Sequence, residues 1–90
     1  MLKAVSTYYD VSLEELKRPR RSRSVTVPRQ MSMYLSRLLT EASLPKIGEM
    51  LGGRDHSTVM HGCAKIQSLI LSAPPVKSAV ADLSKQLLRN

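Results

Sequence analysis

The sequence is poor in cysteine and lacks any long apolar run, and each shortage excludes a class of protein. Cys63 is the only cysteine in the 90 residues, so no internal disulfide forms and we expect a reducing compartment. No stretch of about 18 consecutive apolar residues is present, and the N-terminus has no charged-then-apolar signal segment. We therefore expect a cytoplasmic protein that neither spans nor crosses a membrane.

Motifs for catalysis and metal binding are also missing. The pair Gly52-Gly53 lacks the Gly-Lys-Ser/Thr ending of a phosphate-binding P-loop, and no cluster combines a nucleophile, a base and an orienting group. A zinc site is excluded because His56 and Cys63 would lie about 10 Å apart on a helix that rises about 1.5 Å per residue. We expect a chain that is not an enzyme and holds no metal and no cofactor.

Acidic residues are outnumbered by basic ones, and the excess is concentrated in one segment. The formal net charge is +7 and the pI is about 10.1, which favours an anionic partner. Six of the 14 basic residues, with no acid among them, lie in one short run: Lys17, Arg18, Arg20, Arg21, Arg23 and Arg29. Arginine favours bidentate phosphate and groove contacts, although such a run is also typical of a solvated linker, a nuclear-targeting signal or a membrane-surface segment.

Apolar spacing predicts an all-α fold, since no strand-like alternation and no internal repeat occurs. We expect one domain over residues 1–90, with a first helix that stops near Asp10. Ser12 and Glu15 form the pattern of a capping box that starts a short second helix, which carries Leu13 and Leu16 and ends at Pro19.

An exposed basic loop is predicted over residues 18–27, followed by a third helix. Pro28 suits the first turn of that helix, which is expected to end near Ala42. Its predicted buried stripe consists of Met31, Tyr34, Leu35, Leu38 and Ala42. We interpret Met31, Met33, Met50 and Met60 as core-filling residues.

Residues 44–72 have the pattern of a helix-turn-helix. Gly52-Gly53 supplies the positive φ that ends the first helix, and Asp55 is a strong N-cap for the second. In the second helix the predicted buried stripe is Val59, Cys63, Ile66 and Ile70, and the outer residues are Arg54, His56, Ser57, His61 and Lys65. A last amphipathic helix is predicted over about residues 75–89.

Three polar residues occupy the start of the second helix of this motif, namely Asp55, His56 and Ser57. The first turn of a recognition helix is the part that reaches base edges in the major groove of DNA. Capping alone would explain Asp55, and ordinary solvent exposure would explain the other two. Arg54 is better explained as a phosphate contact or a DNA-facing side chain than as an ion-pair donor.

Three stretches of the sequence together resemble a known family. They are Gly52-Gly53-Arg54-Asp55-His56-Ser57-Thr58-Val59-Met60-His61, Arg20-Arg21-Ser22-Arg23-Ser24-Val25 and Pro28-Arg29-Gln30-Met31. In order and spacing they are similar to the C-terminal DNA-binding domain of the bacterial DnaA replication initiators. The resemblance implies a compact, Trp-repressor-like helical bundle that binds double-stranded DNA as a monomer at asymmetric DnaA boxes of the TTATNCACA type. It also implies a longer, nucleoid-associated protein with an ATP-binding AAA+ domain and an acidic phospholipid contact.

The same resemblance assigns roles to individual residues. It implies that Arg21 enters the minor groove, that Asp55, His56 and Ser57 read bases in the major groove, and that Leu44 and Pro45 touch thymine methyl groups. It implies contacts to the DNA backbone by Arg29, Gln30, Arg37, Lys46 and Thr58. Ser57 stands where threonine is common in the family, so the hydroxyl is kept while the methyl group is absent.

Two other functions fit the sequence. A helix-turn-helix transcriptional regulator would have the same motif with a different target. A basic module that binds an acidic protein or an acidic membrane would use the arginines alone. The polar first turn after Asp55 disfavours the second of these, because a lipid surface does not require it.

Overall fold

The computed structural model of the protein describes residues 1–19 and 23–89. All regular structure in these two ranges is helical, as predicted. The helices, in chain order, are α1 (Leu2–Tyr9), α2 (Leu13–Lys17), α3 (Arg23–Leu39), α4 (Leu44–Met50), α5 (His56–Ser72) and α6 (Pro74–Leu88).

Helices α1 and α2 begin and end close to the predicted positions. Asp10 closes α1 in the left-handed conformation with φ 55°, and Ser12 caps α2 by accepting a hydrogen bond from the Glu15 amide at 3.1 Å. The Glu15 carboxylate accepts from the Arg18 guanidinium at 3.0 Å rather than returning to the Ser12 amide, so only the first half of the capping box forms. Leu13 is 41% exposed, and Leu16 alone anchors α2 in the core.

The start of α3 differs from the prediction. The helix begins at Arg23, so part of the predicted 18–27 loop is helical and Pro28 lies inside the helix instead of in its first turn. Val25 is only 3% exposed, and burying a valine contributes about 1.5 to 3 kcal/mol. That gain is comparable to the cost of about 3 kcal/mol for an interior proline. The additional turn is therefore supported by packing.

Polar residues on the buried side of α3 explain why the sequence predicts a later start for this helix. Three polar side chains on α3 are almost fully buried: Arg29 (8% exposed), Ser32 (0%) and Ser36 (3%). Ser32 donates to the Pro28 carbonyl at 3.1 Å, which satisfies the hydroxyl inside the helix. Because polar residues interrupt the apolar spacing back to Val25, the sequence around Pro28 reads as a loop.

Several other side chains also point differently than predicted. Leu38 is 55% exposed and does not belong to a buried stripe. Ala42 packs against the core but lies beyond the end of α3. Met33, in contrast, is buried as expected of a core-filling residue. Met60 is 50% exposed on α5 and is not core filling.

The helix-turn-helix forms as predicted from α4 and α5. Ser43 caps α4 by accepting from the Lys46 amide at 3.2 Å. Gly52 and Gly53 both adopt positive φ, at 84° and 85°, in the turn that follows. Leu51 is 1% exposed and anchors this turn in the core.

The core lies between α3, α5 and the elements around them, with the closest packing between α3 and α5. The predicted C-terminal helix covers one side of it through Val76, Ala79 and Leu83. The remaining buried apolar residues are Val5, Leu16, Val25, Met31, Met33, Leu35, Ile47, Leu51, Val59 and Ile66. In the two described ranges, no helix is long and apolar enough to cross a membrane.

Two buried helical glycines provide a test of this packing. A β-carbon at position 48 would overlap the backbone carbonyl of Arg54, whereas one at position 62 would meet only the flexible end of Met33. We expect Gly48→Ala to lower the free energy of unfolding by about 1 to 3 kcal/mol, as overpacking does. Gly62→Ala should change it by about 1 kcal/mol or less, because Met33 can move and alanine favours the helix.

Urea denaturation of both variants and of the wild type measures these free energies of unfolding. Equal losses of stability in the two variants would contradict the close approach of the Arg54 carbonyl to Gly48.

Candidate nucleic-acid interface

The first turn of α5 presents an exposed polar surface. Asp55 precedes the helix in an extended conformation, and its carboxylate accepts a hydrogen bond from the Thr58 amide at 2.8 Å. This confirms the predicted cap. Asp55 and His56 are exposed, and Ser57 is half-buried. The hydrogen bond from the Thr58 backbone lowers the pKa of Asp55, so the carboxylate is charged at neutral pH and can accept further hydrogen bonds.

The first turn of α4 is a second exposed surface of the motif. Ser43 caps it, and Pro45 occupies a position where its missing amide is not needed by the helix. Pro45 and Lys46 are exposed, while Leu44 is half-buried against the core cluster. The apolar faces of Leu44 and Pro45 and the cationic end of Lys46 are thus offered from one helix turn.

A groove of about 440 Å³ separates α3 from the first two turns of α5. Its walls are formed by Thr26, Arg29, Gln30, Met33, Thr58, His61 and Gly62. Three predicted backbone contacts therefore come together here, namely Arg29, Gln30 and Thr58. Besides the guanidinium of Arg29, the walls carry hydroxyl, amide and imidazole groups, which can donate hydrogen bonds to phosphate oxygens.

Arg37 lies apart from that groove. Its side chain is exposed beside a second groove of about 320 Å³, together with Tyr34, Leu38, Cys63 and Gln67. Burial raises the pKa of the Cys63 thiol, with Arg37 opposing the shift, so this cysteine is a neutral, half-buried group. The structure thus places Arg37 on a different part of the α3 and α5 surface from Gln30 and Thr58.

Arg29 and Arg54 both donate hydrogen bonds to backbone carbonyls of the protein itself. Arg29 is 8% exposed and sits well inside α3, and it donates to the carbonyls of Leu16 at 3.0 Å and Glu15 at 2.7 Å. Arg54 is half-buried and donates to the carbonyls of Leu51 and Arg18. Burial lowers the pKa of both guanidiniums, and for Arg54 the nearby charge of Arg29 lowers it further.

Arg21, the predicted minor-groove residue, lies outside the described residues. The structure also adds two residues that the sequence analysis did not select. Thr26 lines the larger groove, but it fell within the predicted loop. Met60 follows Ser57 by three residues and so lies on the same side of α5, yet a methionine in an apolar pattern gives no sign of exposure.

Comparison with known proteins identifies a family that the chain matches. Residues 1–66 match the family described as the bacterial dnaA protein helix-turn-helix. This range contains α1 to α4 and the first part of α5, and so every residue of the surfaces described above except Gln67.

Three relatives carry the name chromosomal replication initiator protein DnaA. The protein of Lactobacillus delbrueckii subsp. bulgaricus is 52% identical over 85 residues, covering 94% of this chain and 19% of the relative. The protein of Lactobacillus johnsonii is 49% identical over 83 residues, covering 92% and 18%. That of Lactobacillus helveticus is 52% identical over 83 residues, with the same coverage. The chain spans about a fifth of the length of these relatives.

The cap at Asp55 can be separated from any other role of its carboxylate. Serine also caps helices, so Asp55→Ser should keep the melting temperature close to that of the wild type. Asp55→Ala removes the acceptor for the Thr58 amide and should lower the melting temperature by about 4 to 8 °C. Thermal unfolding followed by circular dichroism gives both values. A melting temperature for Asp55→Ala equal to that of the wild type would show that the cap does not stabilise α5.

Proposed function

The chain belongs to the family of the bacterial DnaA helix-turn-helix domain, and from this membership we propose that it binds double-stranded DNA at DnaA boxes. It acts as the origin-recognition module of a replication initiator, on asymmetric sites of the TTATNCACA type, and contributes binding rather than catalysis. The observation that carries the proposal is the exposed, capped first turn of α5 in a helix-turn-helix of this family.

Base reading is assigned to the first turns of α5 and α4. The major groove distinguishes all four base pairs by their hydrogen-bonding edges, and it admits one α-helix. Asp55, His56 and Ser57 supply a carboxylate acceptor, an imidazole and a hydroxyl at the end of α5 that enters the groove. Leu44 and Pro45 contact thymine methyl groups.

Four side chains are assigned to the DNA backbone. Gln30 and Thr58 both line the groove between α3 and α5, and each can donate a hydrogen bond there. Arg37 and Lys46 supply exposed positive charge from α3 and α4. Contacts of this kind fix the register of the protein on the duplex and carry no sequence information themselves.

The basic segment is assigned to the minor groove through Arg21. An A·T-rich tract has a narrow minor groove with an enhanced negative potential that attracts arginine. The segment joins α2 to α3, while base reading in the major groove comes from α4 and α5. Two grooves are then read by one small module, and an asymmetric site needs no two-fold symmetric dimer.

Binding of a labelled box duplex against a scrambled duplex, at two salt concentrations, tests the proposal. We expect the wild type to prefer the box, and His56→Ala to lose about 5- to 150-fold of that preference, as one base contact provides about 1 to 3 kcal/mol. Asp55→Ser, which keeps the cap, should also lose preference. Ser68→Ala, an exposed change further along α5, is the matched control and should bind as the wild type does.

A wild-type chain that binds both duplexes equally would refute box recognition. If it also bound anionic vesicles as tightly as DNA, the acidic-membrane function would replace the proposal.

Arg21→Ala tests whether the minor-groove and major-groove contacts recognise different halves of the box. The variant should lose preference for the A·T-rich half of the box and keep discrimination at the CACA half, because only the minor-groove contact is removed. Lys77→Ala removes the same charge from the exposed surface of α6 and serves as the control. Affinities for a set of duplexes, each with one base pair substituted, provide the measurement. Uniform loss of discrimination along the box would contradict the minor-groove assignment.

A further inference from the structure

The C-terminal end of α2 is held by two arginines from different parts of the chain. Arg29, on α3, donates from Nε to the Leu16 carbonyl at 3.0 Å and from Nη2 to the Glu15 carbonyl at 2.7 Å. Arg54, in the turn before α5, donates from Nη2 to the Arg18 carbonyl at 2.5 Å. Its Nη1 donates to the Leu51 carbonyl of its own turn.

Gly52 approaches the same end of α2. A β-carbon at this position would overlap the Lys17 carbonyl oxygen. Four successive carbonyls, from Glu15 to Arg18, are therefore contacted by Arg29, Arg54 or Gly52. We call these three residues, together with the four carbonyls, the α2 clamp.

The chemistry of a helix end explains why arginine side chains contact these carbonyls. The last carbonyls of a helix have no partner within it, and they carry the negative end of the helix dipole. Helix α2 has five residues, far fewer than an isolated helix needs to be stable in water. The position of its end therefore depends on contacts with other elements, and the α2 clamp supplies them from both α3 and the helix-turn-helix.

We infer that Arg54 is a positioning residue, which together with Arg29 and Gly52 fixes the point where the chain leaves α2 relative to the start of α5. The inference rests on the proposed function, in which the basic segment after Arg18 and the first turn of α5 read different parts of one DNA site. The α2 clamp sets the spacing between the basic segment and the first turn of α5. For Arg54 this positioning role is the alternative to the phosphate contact expected from the sequence.

An arginine is required for this role by geometry as well as by charge. The guanidinium of Arg54 bridges two carbonyls that are far apart in sequence, those of Leu51 and Arg18. Its planar fork of donors holds both at fixed angles, whereas a lysine ammonium is a single point of charge on a flexible stem. Arg54→Lys therefore keeps the charge and removes the bridge.

The first test compares Arg54→Lys with the wild type on the singly substituted duplexes. We expect about a tenfold loss of discrimination in the A·T-rich half, with discrimination at the CACA half preserved. The slope of log affinity against log salt should stay unchanged in Arg54→Ala as well as in Arg54→Lys. A phosphate contact would behave oppositely: the lysine variant would bind as the wild type does, and the alanine variant would flatten the slope by about one unit. That pattern would overturn the inference.

The second test uses two glycines at which an alanine would suffer the same backbone strain. Gly52 and Gly53 have φ of 84° and 85°, but a β-carbon at position 53 would meet nothing within 4 Å. Gly52→Ala should reproduce the loss at the A·T-rich half without any change of charge. Gly53→Ala should discriminate among the singly substituted duplexes as the wild type does. Equal patterns in the two variants would contradict a role for the contact between Gly52 and Lys17.

Hydrogen exchange of the DNA-free protein separates this inference from the proposed function. In Arg54→Lys the amides of Leu16 and Arg18 should exchange faster, while those of α5 near Ile66 stay protected. If the wild type shows no box preference, the proposed function fails, and exchange still reports whether the α2 clamp exists. If exchange accelerates but the A·T-rich half is read normally, the α2 clamp is structural only and the positioning role is wrong.

Discussion

The structure depends on the tight turn that closes on the carbonyl of Gly48. Three amides converge on this single oxygen, those of Leu51 at 3.1 Å, Gly53 at 3.0 Å and Arg54 at 2.9 Å. The approach is possible because Gly48 has no β-carbon, which would otherwise overlap the Arg54 carbonyl. The turn sets the direction of α5 relative to α4, so it determines where the capped first turn of α5 is presented. It also directs the Arg54 side chain away from that first turn and towards α2.

Helix α3 combines packing with function in a way that its composition conceals. Its buried face carries Ser32 and Ser36 among larger apolar residues, and Ser32 satisfies its hydroxyl within the helix. Small side chains at these positions are compatible with the close packing of α3 against α5, which also brings Met33 against Gly62. The side of α3 next to this contact contributes Gln30 to the groove beside α5. The same packing that stabilises the domain therefore forms the wall of the proposed backbone-binding groove.

Positive charge in this chain falls into two physical classes. Some basic side chains, such as Arg37 and Lys46, are exposed and free to meet an anionic partner. Arg29 and Arg54 are instead partly or almost fully buried, and backbone carbonyls receive their donors. Burial lowers the pKa of both, because removal from water disfavours the charged form, and the charge of Arg29 lowers the pKa of Arg54 further. The number of basic residues is therefore larger than the number available for binding, because Arg29 and Arg54 use their charge to stabilise the fold.

Local chemistry allowed the sequence to determine much of this protein. The caps at Ser12 and Asp55 and the turn at Gly52 each depend on residues within about four positions, so short-range rules predict them. The family resemblance, carried by contiguous motifs, was likewise readable and is confirmed over residues 1–66. The directions of Arg29 and Arg54 were decided only by the tertiary structure, because the carbonyls of Leu16 and Arg18 that they reach lie 13 and 36 residues away. The early start of α3 was decided in the same way, since burial of Val25 in the core offsets much of the local effect of Pro28.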